Sequence, residues 1–452
     1  MIRSRFLRGV AAAVAASLIA LQPVHAQSVL RDAETEALFD DMAAPLAKAA
    51  GLAPGNLQIV LLNDKNINAF VAGGQIVYLH SGLIAAADNA NEVQGVIAHE
   101  IGHIEGGHIV RFGEGAKVAT GVTLVSLLLG VAAIAAGAGA AGAGIMAAGQ
   151  QAAMGSFLAF TRAQENSADA AGARYLNAAG VSGKGSIAFF KKLQNMEFRL
   201  SIPQEDSYAR THPLTGERIQ ALQHVYESAP AWNRAPDPVI EARFQRIKAK
   251  LEGFLQPPPQ TVRDFPESNR SVPARYARAY AYHRGAYPEK AVSEVDALLA
   301  TAPHDPYFLE LKGQVLLESG RPGEAVAPLR EAVDRSKGNP LIATTFGHAL
   351  LSTEDPKNLT EATRVLRQAV ARDRKNPFAW YSLGVAYDRQ GDVPRAALAS
   401  AERHSLQGET RLALVSAEQA MGGITSSSPD WLRAQDIAMT SRTELADERR
   451  RR

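Results

Sequence analysis

Five residues, His99-Glu100-Ile101-Gly102-His103, constrain the fold of this chain more than any other stretch, because their pattern makes chemical sense only on a helix. Helical pitch puts positions i and i+4 on one face, so the two imidazoles stand one turn apart with a carboxylate beside them. Neutral imidazole is a good ligand for Zn²⁺, and such a pair reaches one ion without bending the backbone. A catalytic zinc lowers the pKa of its bound water towards ~7, and an unligated carboxylate can take the proton as that water attacks a carbonyl. The flanks agree with a helix. Asn89 and Glu92 are spaced as a capping box, Val93, Val96 and Ile97 form an apolar stripe, and Gly106-Gly107 stop it.

Two histidines leave a catalytic site incomplete, so a third ligand must come from downstream, and the candidate is Glu165 in Glu165-Asn166-Ser167-Ala168-Asp169. HEIGH followed by ENSAD resembles the HtpX and CAAX-prenyl-protease type of zinc peptidase, in which the helix after the HExxH helix carries E-x-x-A-D. The resemblance implies a zinc endopeptidase of the gluzincin type with one Zn²⁺ per chain. His99, His103 and Glu165 would bind it, and Asp169 would hold a ligating histidine by its other ring N–H. Glu100 would activate the water and later protonate the leaving amine.

Two further segments bear on the site. Residues 68–79 read as two short strands around Gly73-Gly74. In peptidases of this class an edge strand hydrogen-bonds the substrate backbone, which makes Asn68 and Ala69 candidate substrate contacts. Thr211-His212-Pro213 with Arg218-Ile219 resembles the H-P-x-x-x-x-R-I segment of periplasmic members. That implies His212 as a plug on the open zinc position and Arg218 as an oxyanion or substrate-carboxylate contact. The same residues also read simply as a helix start, with Thr211 as cap, Pro213 in the first turn, and Ile219 and Leu222 on the buried face. His108, just past the Gly-Gly stop, reads as a packing or surface residue rather than a fourth ligand.

Arg3, Arg5 and Arg8 precede an apolar run from Val10 to Leu21, and Val24-His25-Ala26 fits a cleavage site, so 1–26 is expected to be a secretory signal peptide. Removing it takes away three positive charges and changes the net charge from +2 to −1, which leaves no basic patch for nucleic acid. The chain has no cysteine, so disulfides and thiolate zinc sites are excluded, and a bacterial periplasm suits an exported chain of this kind.

Gln256-Pro257-Pro258-Pro259-Gln260 predicts a stiff extended spacer, dividing a peptidase domain (27–255, linker 256–273) from the C-terminal half of the chain. Beyond it Pro306, Pro340 and Pro377 recur at spacings of 34 and 37 residues and are expected to close successive units. Trp380, Leu383, Gly384 and Tyr387, with Ala396 later, fit the tetratricopeptide pattern. Gly313 and Ala325, and Gly347 and Ala362, hold its small positions, while Tyr282 and Ala291 mark a weaker first unit. Four units over 274–410 would stack into a solenoid with a peptide-binding concave face, and 411–452 would supply a cap and tail.

Residues 118–161 carry no charge and are rich in Ala and Gly. They predict a helix pair and loop beside the active site, with 118–150 either buried or resting on a membrane surface, in preference to a transmembrane hairpin. The expected fold is therefore mainly α: an α+β protease domain with a small sheet, then an all-α solenoid. The resemblance implies a periplasmic enzyme that degrades misfolded or stalled outer-membrane and envelope proteins, its repeats recruiting clients or the assembly machinery. A repeat-based chaperone or adaptor with a latent protease site is the competing class, and a cell-wall peptide hydrolase is a third.

Overall fold

The computed structural model describes residues 28–108, 139–200, 212 and 216–451, with a few single positions between 117 and 129. The expected signal peptide and most of 109–138 lie outside them. Four strands form one sheet in the order β1-β2-β4-β3. β1 (Val29–Leu30) runs antiparallel to β2 (Gln58–Leu62), β2 runs parallel to β4 (Ile76–His80), and β3 (Ala69–Ala72) runs antiparallel to β4 at the edge. The β3–β4 hairpin is the one expected over 68–79, turned by Gly73 and Gly74 at φ of 64° and 99°, where a side chain would be strained. Helix α1 (Ala33–Ala49) contributes Leu38, Phe39, Met42 and Leu46 to the core.

After a short α2 (Ser81–Ala86) comes α3 (Ala90–Glu105), the HEIGH helix. Asn89 caps it by accepting from the Glu92 N–H at 3.0 Å, and the Glu92 carboxylate accepts from the N–H of Asp88, one residue short of a reciprocal capping box. Val93, Val96, Ile97 and Ile101 are fully buried, each worth ~1.5–3 kcal/mol of transfer free energy. The apolar stripe understates the burial, because α3 is enclosed on nearly every side.

Glycine makes that enclosure possible. Towards the C-terminal end of α3 lies α4 (Gly139–Ala179), towards its N-terminal end α5 (Lys184–Leu200). A Cβ at Gly102 would stand 2.6 Å from the Ala168 carbonyl oxygen, and one at Gly95 would stand 2.7 Å from Ser186 Cα. Backbones this close let side chains on α4 reach the histidines of α3. The N-terminal half of α4 is the described end of the uncharged segment, and it exposes Met154 and Leu158. Among the described residues no helix is long and apolar enough to cross a membrane.

α6 (Gly216–Glu227) completes the layer over α4 and α5. α7 (Pro238–Leu255) packs Phe244, Ile247 and Leu251 into the same core, then lies along α9 (Val272–Arg284), where a Cβ at Gly253 would meet the Ala277 carbonyl oxygen at 2.4 Å. The expected extended spacer is not found. Pro258–Asp264 is a helix, α8, because a proline is well suited to a first helical turn, where no N–H is needed.

The remaining helices pair in sequence order: α9 with α10 (Pro288–Leu299), α11 (Pro306–Glu318) with α12 (Pro322–Arg335), α13 (Pro340–Ser352) with α14 (Pro356–Arg372), and α15 (Pro377–Arg389) with α16 (Val393–Leu406). Pro306, Pro340 and Pro377 open their units rather than close them, each in the first turn behind a capping Asp305, Asn339 or Asn376. Residues 411–451, expected as a cap and tail, are almost wholly helical. α17 (Thr410–Gly423) and α18 (Pro429–Arg451) form a fifth pair, whose Ala417, Ala420, Ala434 and Ile437 cover the end of α16.

Candidate active site

His99 and His103 project from α3 towards α4, where Glu165 lies on the facing turn, and His212, just ahead of α6 in the chain, joins them. Donor atoms of these four residues lie within 4.8 Å of one another. His99 Nε2 is 3.0 Å from His103 Nε2 and 3.4 Å from Glu165 Oε2, His103 Nε2 is 3.3 Å from Glu165 Oε1, and His212 Nδ1 is 3.1 Å from both Glu165 oxygens. A tetrahedron with zinc bonds of about 2.0–2.1 Å has edges of ~3.3 Å, so the donor set has the spacing that such an ion needs.

The surroundings sort the roles. His99 directs Nδ1 to Asp169 Oδ1 at 2.9 Å, which leaves Nε2 for the cluster. Asp169 in turn accepts from Arg218, whose Nη2 also reaches Glu165 Oε2 at 3.0 Å. Burial alone would lower the His99 imidazole, but Asp169 and Glu165 outweigh it and raise it to about 10. Burial raises the Glu165 carboxyl, yet His212, His103 and His99 hold it well below the carboxylate range. Asp169 is likewise held low against burial, by Arg218 and His99. His103 is lowered, chiefly by burial.

Glu100 is 1% exposed, and neither of its carboxylate oxygens has a hydrogen-bond partner among the described residues. His212 Nε2 lies 3.5 Å from Glu100 Oε1. A buried carboxylate left unsatisfied costs free energy unless a ligand or water engages it, and this one stands beside the donor cluster.

The structure thus brings His99, Glu100, His103, Glu165, Asp169, His212 and Arg218 together. Arg218 meets a different environment from the oxyanion or substrate contact expected of it: its guanidinium is buried against two carboxylates. Asn68 and Ala69 lie at the start of edge strand β3, which packs on α3; the Asn68 side-chain oxygen accepts from the Ala69 N–H at 2.9 Å. Thr211 and Pro213, read as a helix start, lie outside the described residues. Two neighbours were not foreseen. The Phe190 ring stands edge-on to His99 at 6.1 Å, and the His108 ring meets His103.

An HExxH helix with a glutamate and an outer aspartate on a helix packed against it defines a zinc metalloprotease. Residues 29–226 match peptidase family M48, and residues 276–340 and 357–405 match a tetratricopeptide repeat. The chain therefore carries an M48 peptidase domain followed by tetratricopeptide repeats. It is 26% identical over 361 residues to the beta-barrel assembly-enhancing protease of Yersinia pestis, covering 78% of this chain and 72% of that one. The protein of that name from Escherichia coli (strain K12) is 26% identical over 355 residues, 77% of this chain and 71% of that one. Metalloprotease LoiP of the same strain is 30% identical over 173 residues, 38% of this chain and 62% of that one.

Proposed function

We propose that this chain is a periplasmic zinc endopeptidase that removes misfolded or stalled outer-membrane and envelope proteins and is held back at rest by His212. The observation that carries the reading is Glu100, a buried carboxylate without a hydrogen-bond partner among the described residues, beside four convergent donors. A zinc ion held by His99, His103 and Glu165 supplies, when bound, Lewis-acid polarisation of the scissile carbonyl and an acidified water. Glu100 takes the water's proton during attack and delivers it to the leaving amine. Asp169, itself fixed by Arg218, keeps the His99 proton on Nδ1 and the ring in register, so Arg218 acts as a positioning residue. His212 faces the donor cluster through Nδ1 and Glu100 through Nε2, a placement that suits a plug on both the fourth metal position and the base.

Client recognition falls to two surfaces. β3 is the last strand of the sheet, and Asn68 and Ala69 at its start would meet an extended substrate by strand addition. Where the repeats face residues 31–33 of the peptidase half, the first helices of four successive pairs line a cleft of about 710 Å³, with Arg31, Tyr280, Glu310, Leu317, His348 and Phe378 on its wall. Its mixed apolar and acidic lining suits an unfolded polypeptide or a partner of the outer-membrane assembly machinery. A membrane surface remains a partner for 118–150, in keeping with its exposed Val125, Leu129 and Ile145.

Cleavage of an unfolded outer-membrane protein by the zinc-loaded mature chain tests the reading. Glu100→Gln should lower the rate by about 10²–10⁴-fold while zinc stays bound, and His212→Ala should raise it. Zinc binding without cleavage in any form would favour the chaperone or adaptor reading, and a biological role that survives Glu100→Gln would do the same.

A further inference from the structure

Each histidine on α3 has a second ring nitrogen, and the two are held differently. That of His99 meets a carboxylate. That of His103 meets His108: the two Nδ1 atoms are 2.9 Å apart, with the rings near-perpendicular at 80°. His108 is buried, and the chain has to reverse sharply to place it there. Gly107 makes the turn at φ 62°, in the left-handed region. Gly106 leaves the room, because a Cβ on it would fall 2.3 Å from His108 Nε2. The two glycines that end the helix thus also fold the next side chain back against its last histidine.

Two Nδ1 atoms at this distance cannot both carry a proton, nor can both lack one and attract. A single proton lies between them. His103 Nε2 faces the donor cluster and must be bare to ligate, so the neutral ring carries its proton on Nδ1. His103 Nδ1–H therefore donates, and His108 Nδ1 accepts. We propose that His108 is the positioning residue of the metal ligand His103, fixing its tautomer and ring angle as Asp169 fixes those of His99. The two ligands then have unlike supports, an arginine-clamped carboxylate for one and a neutral imidazole for the other.

This proposal rests on the zinc reading of the site, and its test separates the two. Zinc affinity of the mature chain is measured by competition with a chromophoric chelator, alongside the melting temperature of the metal-free chain. His108→Phe keeps a ring but removes the acceptor, and should weaken zinc binding by about 10–100-fold with the metal-free melting temperature unchanged. His108→Asn puts an amide oxygen close to where Nδ1 stood, and should stay within about threefold of the parent. Parental affinity in His108→Phe overturns the proposal, as does an equal loss in both variants that follows a fall in melting temperature. If the parent itself binds no zinc, or binds it as well after His99→Ala, the zinc reading fails instead.

Discussion

Asp169 accepts from His99 and from Arg218 at once, and its charge does two jobs that a neutral residue of the same shape cannot. Asp169→Asn would present an amide where a carboxylate oriented the imidazole, so zinc affinity by calorimetric titration should fall by about 10–100-fold, with cleavage falling in step at limiting zinc. His99, Glu100 and His103 were legible in the sequence because their relation is local: helical pitch alone sets it. Glu165 and Asp169 are also one turn apart, but nothing in their own spacing says which helix they face, and the resemblance supplied that. Arg218 was legible as a residue near the site. Its partners were not, since a guanidinium's bearing depends on which carboxylates the fold leaves within reach. His108 carried a signal, a third histidine behind two glycines, but a turn at positive φ had to be known before its ring could be aimed.

The same glycines and prolines that marked the repeats also show how evenly the helix pairs are built. In α11 and α13 a Cβ at Gly313 or Gly347 would lie 2.3 Å or 2.5 Å from the Leu329 or Leu366 side chain of the partner helix. At Gly384 in α15 the facing atom is Ala399 Cβ at 3.5 Å, an ordinary contact. Gly347→Ala should therefore destabilise the chain by about 1–3 kcal/mol, whereas Gly384→Ala, which gains helix propensity without a clash, should stabilise it by up to ~1 kcal/mol. Chemical denaturation of both variants checks the contrast. The period was legible because proline and the small residues recur at fixed spacing. The fifth pair was hidden by Gly422-Gly423 and the serines after it, which punctuate the sequence without ending the stack, and by a last helix whose charged surface leaves few apolar positions to count. α8 was hidden for a related reason: a proline run signals extension, yet its second proline is also a good first residue for a helix.

Across the whole molecule, the two halves meet through a buried charged network. Glu34 is 1% exposed and joins Arg246, Lys250 and the Tyr276 hydroxyl, while Arg246 continues to Asp305; at the surface Arg31 reaches Asp373. Glu310, half-buried nearby, is pushed up to about 8 by burial and by Asp32 and Glu34, against the pull of Lys250. An unfolded glutamate titrates near 4.3, so between the two values the folded chain holds a proton that the unfolded chain has lost. Stability contributed by Glu310 is thus full below about pH 4 and is lost as pH rises through 8, at no more than ~1.4 kcal/mol per pH unit. Relative to Glu310→Gln, the parent should lose stability steadily between about pH 5 and pH 8, as read from denaturation midpoints across that range. The network also changes what the division at Gln256 means. α7 gives one side to the peptidase core and another to the first repeat. Neither half is a module that can be cut out whole: a chain ended after Leu255 would bare the strip around Gly253, and one begun after it would lose the wall on which α9 rests. Inheritance would be bound by the same rule, because exchanging the repeats for another set would require exchanging the last helix of the peptidase with them.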